Sequence, residues 1–209
     1  MAGSEHPATL GDPGAADADD RVLLTRLARR DEAALRLLIA RHGARLHRIA
    51  WRLTGDPAEA EDIAQESLLR LWDHAQGLAA QAAAPGAWLT RVATNLALDR
   101  LRRARRLVDQ PVPDRADESA DTEAGLEAAE RARLARSLIA ALPDRQRAAI
   151  VLTYFEEMPN AEAARVLEMN IKAFESLLLR ARNTLRAAHE GLDGGHRPQP
   201  ARARAGTGR

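Results

Sequence analysis

Residues 159–182, PNAEAARVLEMNIKAFESLLLRAR, read as two short helices joined by a tight turn. Asn160 is placed to cap the first helix and Asn170 the second, because a short side-chain oxygen accepts from the free amides of a first turn. In the second helix Ile171, Phe174, Leu178, Ala181 and Leu185 recur at helical spacing and form the expected buried stripe. Lys172, Glu175, Ser176, Leu179, Arg182 and Asn183 fall on the opposite side. Such a helix-turn-helix fits a major groove. An ordinary helical hairpin with a solvated face gives the same spacing, and Glu168 in the turn, where these motifs usually carry glycine, favours that alternative.

A second basic element decides between them. Residues 91–106, RVATNLALDRLRRARR, hold six arginines against one acid, Asp99, on a segment that is apolar early and cationic late. A helix end also favours cations through its dipole, but two separate cationic or polar surfaces in one chain point to a polyanion.

Composition bounds the remainder. The 209 residues are 45% apolar and 29% charged, enough for one domain or two small ones, and the net charge is only +1, so the basic character is local. Lys172 is the only lysine. The absence of cysteine excludes disulfides, thiolate nucleophiles and cysteine-ligated zinc. Six histidines are scattered, His42 and His47 being the closest pair, without a metal-ligand spacing. Residues 1–20 carry no Arg or Lys and do not read as a signal peptide, and no segment approaches the ~20 apolar residues of a membrane span. A cytoplasmic protein is expected.

The chain divides at residues 107–125, LVDQPVPDRADESADTEAG, where two prolines and six acids against one arginine predict an extended acidic linker. Residues 1–19 and 191–209 read as disordered tails. The blocks between them, 20–106 and 126–190, lack strand alternation, so an all-α protein of two small helical domains is expected. In the first block, residues 20–41 predict one helix, with Leu23, Leu24, Leu27, Leu35 and Leu38 inward, and 44–54 another that ends at Gly55. Asp56, Pro57 and Glu59 then form a start close to a capping box for a helix running to about His74. Its buried side is expected at Ala60, Ile63, Ala64, Leu68, Leu71 and Trp72, and Asp62, Gln65, Glu66 and Leu69 line an acidic strip along another face. Residues 77–87 read as a loop, and Trp51, Trp72 and Trp88 as core residues.

Three stretches in order, DPAEAEDIAQESLLRLW (56–72), WLTRVATNLALDRLRR (88–103) and ALPDRQRAAIVLTYFEEM (141–158), the last just before the helix-turn-helix, resemble the extracytoplasmic-function sigma factors. The resemblance covers residues 20–106 and 126–188. It implies that the first block is sigma region 2, the second region 4, and that the chain binds core RNA polymerase through its beta-prime and beta subunits to direct promoter recognition. By the same resemblance, Asp62, Gln65, Glu66 and Leu69 would meet the beta-prime coiled coil. Asn95, Asp99, Arg100, Arg102, Arg103, Arg105 and Arg106 would meet the minus-ten element. Asn170, Lys172, Glu175, Ser176, Leu179, Arg180 and Arg182 would meet the minus-thirty-five element. The acidic linker would lie near the RNA exit path, and an anti-sigma factor is an expected partner. Catalytic residues, metals and cofactors are not implied.

The chemistry of these residues agrees with such a role. Arginines neutralise phosphates and release counterions, which supplies affinity without sequence choice; Asn95 and Asp99 are candidates for base choice. The loop at 77–87 has no aromatic residue, so an unpaired base would need a pocket of backbone and small side chains. Glu168, Glu175 and Leu177 stand where the family more often has glycine and basic residues. The rival reading is a dimeric helix-turn-helix regulator that reads a palindrome with half-sites one turn apart.

Overall fold

The computed structural model describes residues 13–107 and 123–194. Four helices build the first bundle: α1 (Pro13–Ala28), α2 (Glu32–Thr54), α3 (Pro57–Ala80) and α4 (Pro85–Leu107). The second bundle holds α5 (Glu123–Ala140), α6 (Asp144–Ile150), a π-helical turn at Val151–Phe155, α7 (Asn160–Val166) and α8 (Ile171–Gly194). Among the described residues the secondary structure is helical, as the sequence predicts. Residues 1–12, 108–122 and 195–209 lie outside the described residues, but the expected tails and linker are shorter than their bounds, since residues 13–19 belong to α1, 123–125 to α5 and 191–194 to α8.

Local chemistry explains where the helices begin and end, and it moves several expected boundaries. The expected break near residue 42 falls at Arg29–Asp31 instead, and α2 runs through Gly43 without interruption. Asp31 accepts from the amides of Ala33 and Ala34, so the helix restarts there, and Arg30 turns the chain with φ of 63°. Gly55 closes α2 with φ of 73° and donates its N–H to the Trp51 carbonyl at 2.8 Å. Asp56 caps α3 through the amides of Ala58 and Glu59, with Pro57 at the first helical position. The capping box itself does not close, because the Glu59 carboxylate binds Arg100. α3 continues past His74 to Ala80, which shortens the expected loop to residues 81–84.

The first bundle buries Leu24, Leu27, Leu38, Leu46, Ile49, Leu53, Ile63, Leu71 and Leu89. Each such side chain contributes about 1.5–3 kcal/mol when withdrawn from water. Leu35, Leu68 and the three tryptophans are only partly buried against that core. Ser67, Thr90 and Thr94 are buried as well, and each donates its hydroxyl to the carbonyl four residues back, so none of these three hydroxyls is stranded.

The two bundles form one continuous core. Arg147 of α6 is central to the join. It is 7% exposed and donates to the carbonyl of Leu53 near the end of α2, and to those of Ala140, the last residue of α5, and Leu142 just beyond it. Helix C-termini leave such carbonyls without intrahelical partners and carry partial negative charge, which suits a buried guanidinium. Burial pushes its pKa below the usual arginine value, opposed by Asp144 and aided by Arg105.

Candidate polymerase and nucleic-acid interfaces

The acidic strip lies on α3. Asp62, Gln65 and Leu69 are exposed, Leu69 at 63%, which is unusual for a leucine and leaves an apolar contact beside the carboxylates. Gln65 donates to Glu61 at 3.1 Å, one turn away. Glu66 differs from its neighbours. It is half-buried, and one oxygen accepts from Arg70 at 2.6 Å while the other accepts from Arg100 at 3.3 Å.

Arg100 therefore does not stand with the other arginines of α4. Its guanidinium spans Glu59 at 2.8 Å and Glu66 at 3.3 Å and joins α3 to α4. Arg102, Arg103, Arg105 and Arg106 are exposed beyond it. Arg102 is paired with Asp99 at 2.6 Å, and Arg105 reaches Asp144 of the second bundle at 2.7 Å. Asn95 and Asp99 are half-exposed on the same helix. Asn95, Leu98, Asp99 and Arg102 form one wall of a cleft of 280 Å³ whose other wall is Arg145, Leu167 and Glu168.

In the second bundle Asn170 caps α8, its Oδ1 accepting from the Ala173 amide at 2.8 Å. Asn160 does not cap α7; Pro159 occupies that place and Asn160 is the first helical residue. Lys172, Glu175, Ser176, Leu179, Arg180 and Arg182 are all exposed on α8, while Phe174, Leu178 and Ala181 are buried. The expected stripe is revised at two positions, Ile171 being 39% exposed and Leu185 only partly buried, and Leu177, outside that stripe, is buried at 8%. Ser176 turns its hydroxyl to the Lys172 carbonyl and Arg180 leans on the Ser176 carbonyl, so both are ordered along the helix. Among the described residues Glu175 has no ion-pair partner. The turn before α8 places Glu168 at φ of 53°, a left-handed conformation that a glycine would adopt without strain. Arg145 braces this turn by donating to the Leu167 carbonyl at 2.7 Å.

Residues 38–107 match the model of sigma-70 region 2, and residues 132–185 that of sigma-70 region 4. The sigma factor SigK of a Mycobacterium species is 31% identical over 162 residues, which cover 74% of this chain and 82% of SigK. The chain belongs to the ECF RNA polymerase sigma factors. SigL of Mycobacterium tuberculosis is 47% identical over a shorter stretch of 75 residues, 36% of this chain and 42% of SigL. The chain spans roughly half the length of several relatives, 59% of SigE and 50% of SigJ. The solved structure of CnrH in complex with the cytosolic domain of CnrY shares the fold, with a TM-score of 0.59 and 29% identity over 82% of this chain and 97% of CnrH.

Within this ECF sigma factor, sequence reasoning missed the residues that join the two bundles. Glu156 accepts from Arg45 at 2.9 Å and from Arg52 at 3.2 Å, contacts that span 111 and 104 positions. A glutamate and two arginines so far apart carry no local periodic signal.

Proposed function

We propose that this chain is a promoter-specific initiation factor that binds core RNA polymerase and is not an enzyme. The observation that carries the reading is the Glu59–Arg100–Glu66 bridge. It holds the exposed Asp62, Gln65 and Leu69 of α3 beside the cationic end of α4 as one rigid pair of helices. Polymerase docking would then set the minus-ten surface directly. In this reading Asp62, Gln65, Glu66 and Leu69 meet the beta-prime subunit. Asn95, Asp99, Arg102, Arg103, Arg105 and Arg106 follow the minus-ten strand, with Arg100 behind them as a brace. Lys172, Glu175, Ser176, Leu179, Arg180 and Arg182 enter the major groove at the minus-thirty-five element, with Asn170 setting the start of the helix. Region 4 would also meet the beta subunit.

The chain would work in the cytoplasm, where its polymerase and DNA are. Among the described residues no helix is long and apolar enough to cross a membrane. CnrH, solved with the cytosolic domain of CnrY, supports an anti-sigma partner on the same fold. A pull-down with core polymerase followed by run-off transcription tests the reading. Start-site-specific transcripts are expected; a chain that binds a palindromic operator as a dimer and leaves core polymerase unbound would establish the rival regulator.

A further inference from the structure

The exposed stripe of α8 continues past the residues expected in the groove. Lys172, Glu175, Leu179, Arg182 and Arg186 follow one another at steps of three or four, so they share one side of the helix. Lys172 and Arg186 are about 21 Å apart along the axis at 1.5 Å per residue, whereas the major groove is about 12 Å wide. A recognition helix presents its first turns to base edges, which leaves Arg186 over the phosphate backbone at the margin of the groove. Leu185 is the last residue packed against the core, and every residue from Arg186 to Gly191 is exposed.

The chain beyond α8 is cationic. Residues 195–209 hold Arg197, Arg202, Arg204 and Arg209 and no acid. The whole chain is only +1, so without these four arginines it would be net acidic. The exposed face of α8 is itself a weak match for phosphates, because Lys172, Arg180, Arg182 and Arg186 share it with Glu175 and Glu190. Residues 195–209 contain no aromatic or large aliphatic side chain. A protein interface would need such anchors, and a single strand would need rings on which to stack its bases. Duplex DNA is the polyanion that fits this composition. Fifteen residues reach at most about 50 Å, the length of roughly fifteen base pairs at about 3.4 Å each.

We propose that Arg186 and the arginines of residues 195–209 form a phosphate-binding arm on the duplex flanking the minus-thirty-five element. The arm supplies affinity that the helix-turn-helix lacks, and it carries no sequence choice. The inference rests on the proposed entry of α8 into the major groove.

The experiment compares holoenzyme assembled from core polymerase and the full chain with holoenzyme carrying Arg197→Gln, Arg202→Gln, Arg204→Gln and Arg209→Gln together. On a promoter fragment from which the unmodified holoenzyme initiates, the logarithmic salt slope of binding should fall by about 2–4, at about 0.9 per phosphate released, and affinity at low salt should drop at least about tenfold. The start site and the base preferences in the minus-thirty-five element should stay the same. Arg186→Gln, added to the four, should lower the slope by about one more. The chain has no native cysteine, so Gly206→Cys gives a unique site for a tethered iron chelate, and backbone cleavage is expected within roughly fifteen base pairs of the element. An unchanged salt slope, an altered base preference, or an absence of cleavage on that flank would each overturn the arm. Failure of the underlying reading has a different signature. A holoenzyme that yields no start-site-specific transcript overturns both, whereas start-site-specific transcription with an unchanged slope overturns the arm alone.

Discussion

Arg100 donates to Glu66 at 3.3 Å, and this bridge ties the acidic strip on α3 to the arginine-rich end of α4. Both residues carry charges of the sign their surfaces call for, yet each is turned toward the other. One consequence is that the two surfaces move together. Another is that Arg100 and Glu66 behave differently from their neighbours when substituted.

Arg102, Arg103 and Arg106, replaced together by alanine, should lower promoter affinity on all sequences and flatten its salt dependence, the slope falling by about 0.7–0.9 for each phosphate no longer neutralised. Arg100→Ala should leave that slope unchanged and cost up to about 1 kcal/mol of stability, the worth of a partly exposed ion pair. Filter binding across a salt series, with a thermal melt of each variant, separates the two. Equal slopes for all variants would place the exposed arginines away from DNA.

Polymerase docking is best probed at Asp62 and Leu69. Reversing Glu66 would also break its bonds to Arg70 and Arg100, whereas Asp62→Arg with Leu69→Ser alters exposed atoms and should change stability by no more than about 0.5 kcal/mol. Core polymerase should bind this double variant more weakly. Unchanged affinity in a competition assay would move the docking face elsewhere.

Glu175 is exposed on α8 without an ion-pair partner among the described residues. A carboxylate near phosphates is repelled, but it can accept from the amino group of cytosine. Glu175→Ala should therefore relax selection at one minus-thirty-five position by about 1–3 kcal/mol. Selection from a promoter library randomised in that element reads this directly, and identical base preferences in both proteins would exclude base reading by Glu175.

The turn before α8 holds Glu168 at φ of 53°. Glu168→Gly relieves that conformation and should raise stability by up to about 1 kcal/mol. Thermal melting checks it, and a lowered melting temperature would mean that the glutamate side chain contributes more than its backbone strain costs.

Asp31 is held below the usual carboxylate pKa chiefly by its hydrogen bond from Arg26, with the Ala34 and Ala33 amides adding to the effect against partial desolvation. A depressed carboxylate stabilises the fold while it is ionised. Its contribution is full at neutral pH, declines as pH falls through the ordinary value of 3.8, and is gone below the lowered native value. The difference in melting temperature between the unmodified chain and Asp31→Asn should accordingly be present at pH 7 and shrink toward pH 3.

Cap chemistry and helical period are local properties, and they were readable in the chain. Asp56 with Pro57, Gly55 after α2, and Asn170 before α8 each act within four residues of their own position, so the ends they mark agree in sequence and structure. The same is true of the exposed faces, because charge at positions three and four apart stays on one side of a helix whatever packs behind it. The break at Arg29–Asp31 was less visible, since the apolar pattern runs on across it and only the Asp31 side chain announces the new helix. Ile171 is more exposed, and Leu177 more buried, than the stripe at helical spacing shows, because burial on α8 depends on where α6 and α7 lie. Glu59, Glu66 and Arg100 read as a cap, a docking residue and a phosphate contact. Their mutual bridge required α3 and α4 to be laid side by side. Arg147 and Glu156 are the extreme case. A buried charge is tolerated only where partners are delivered to it by the fold: both partners of Glu156 come from α2, about a hundred residues earlier, as does the Leu53 carbonyl that Arg147 meets beside its nearer partners Ala140 and Leu142.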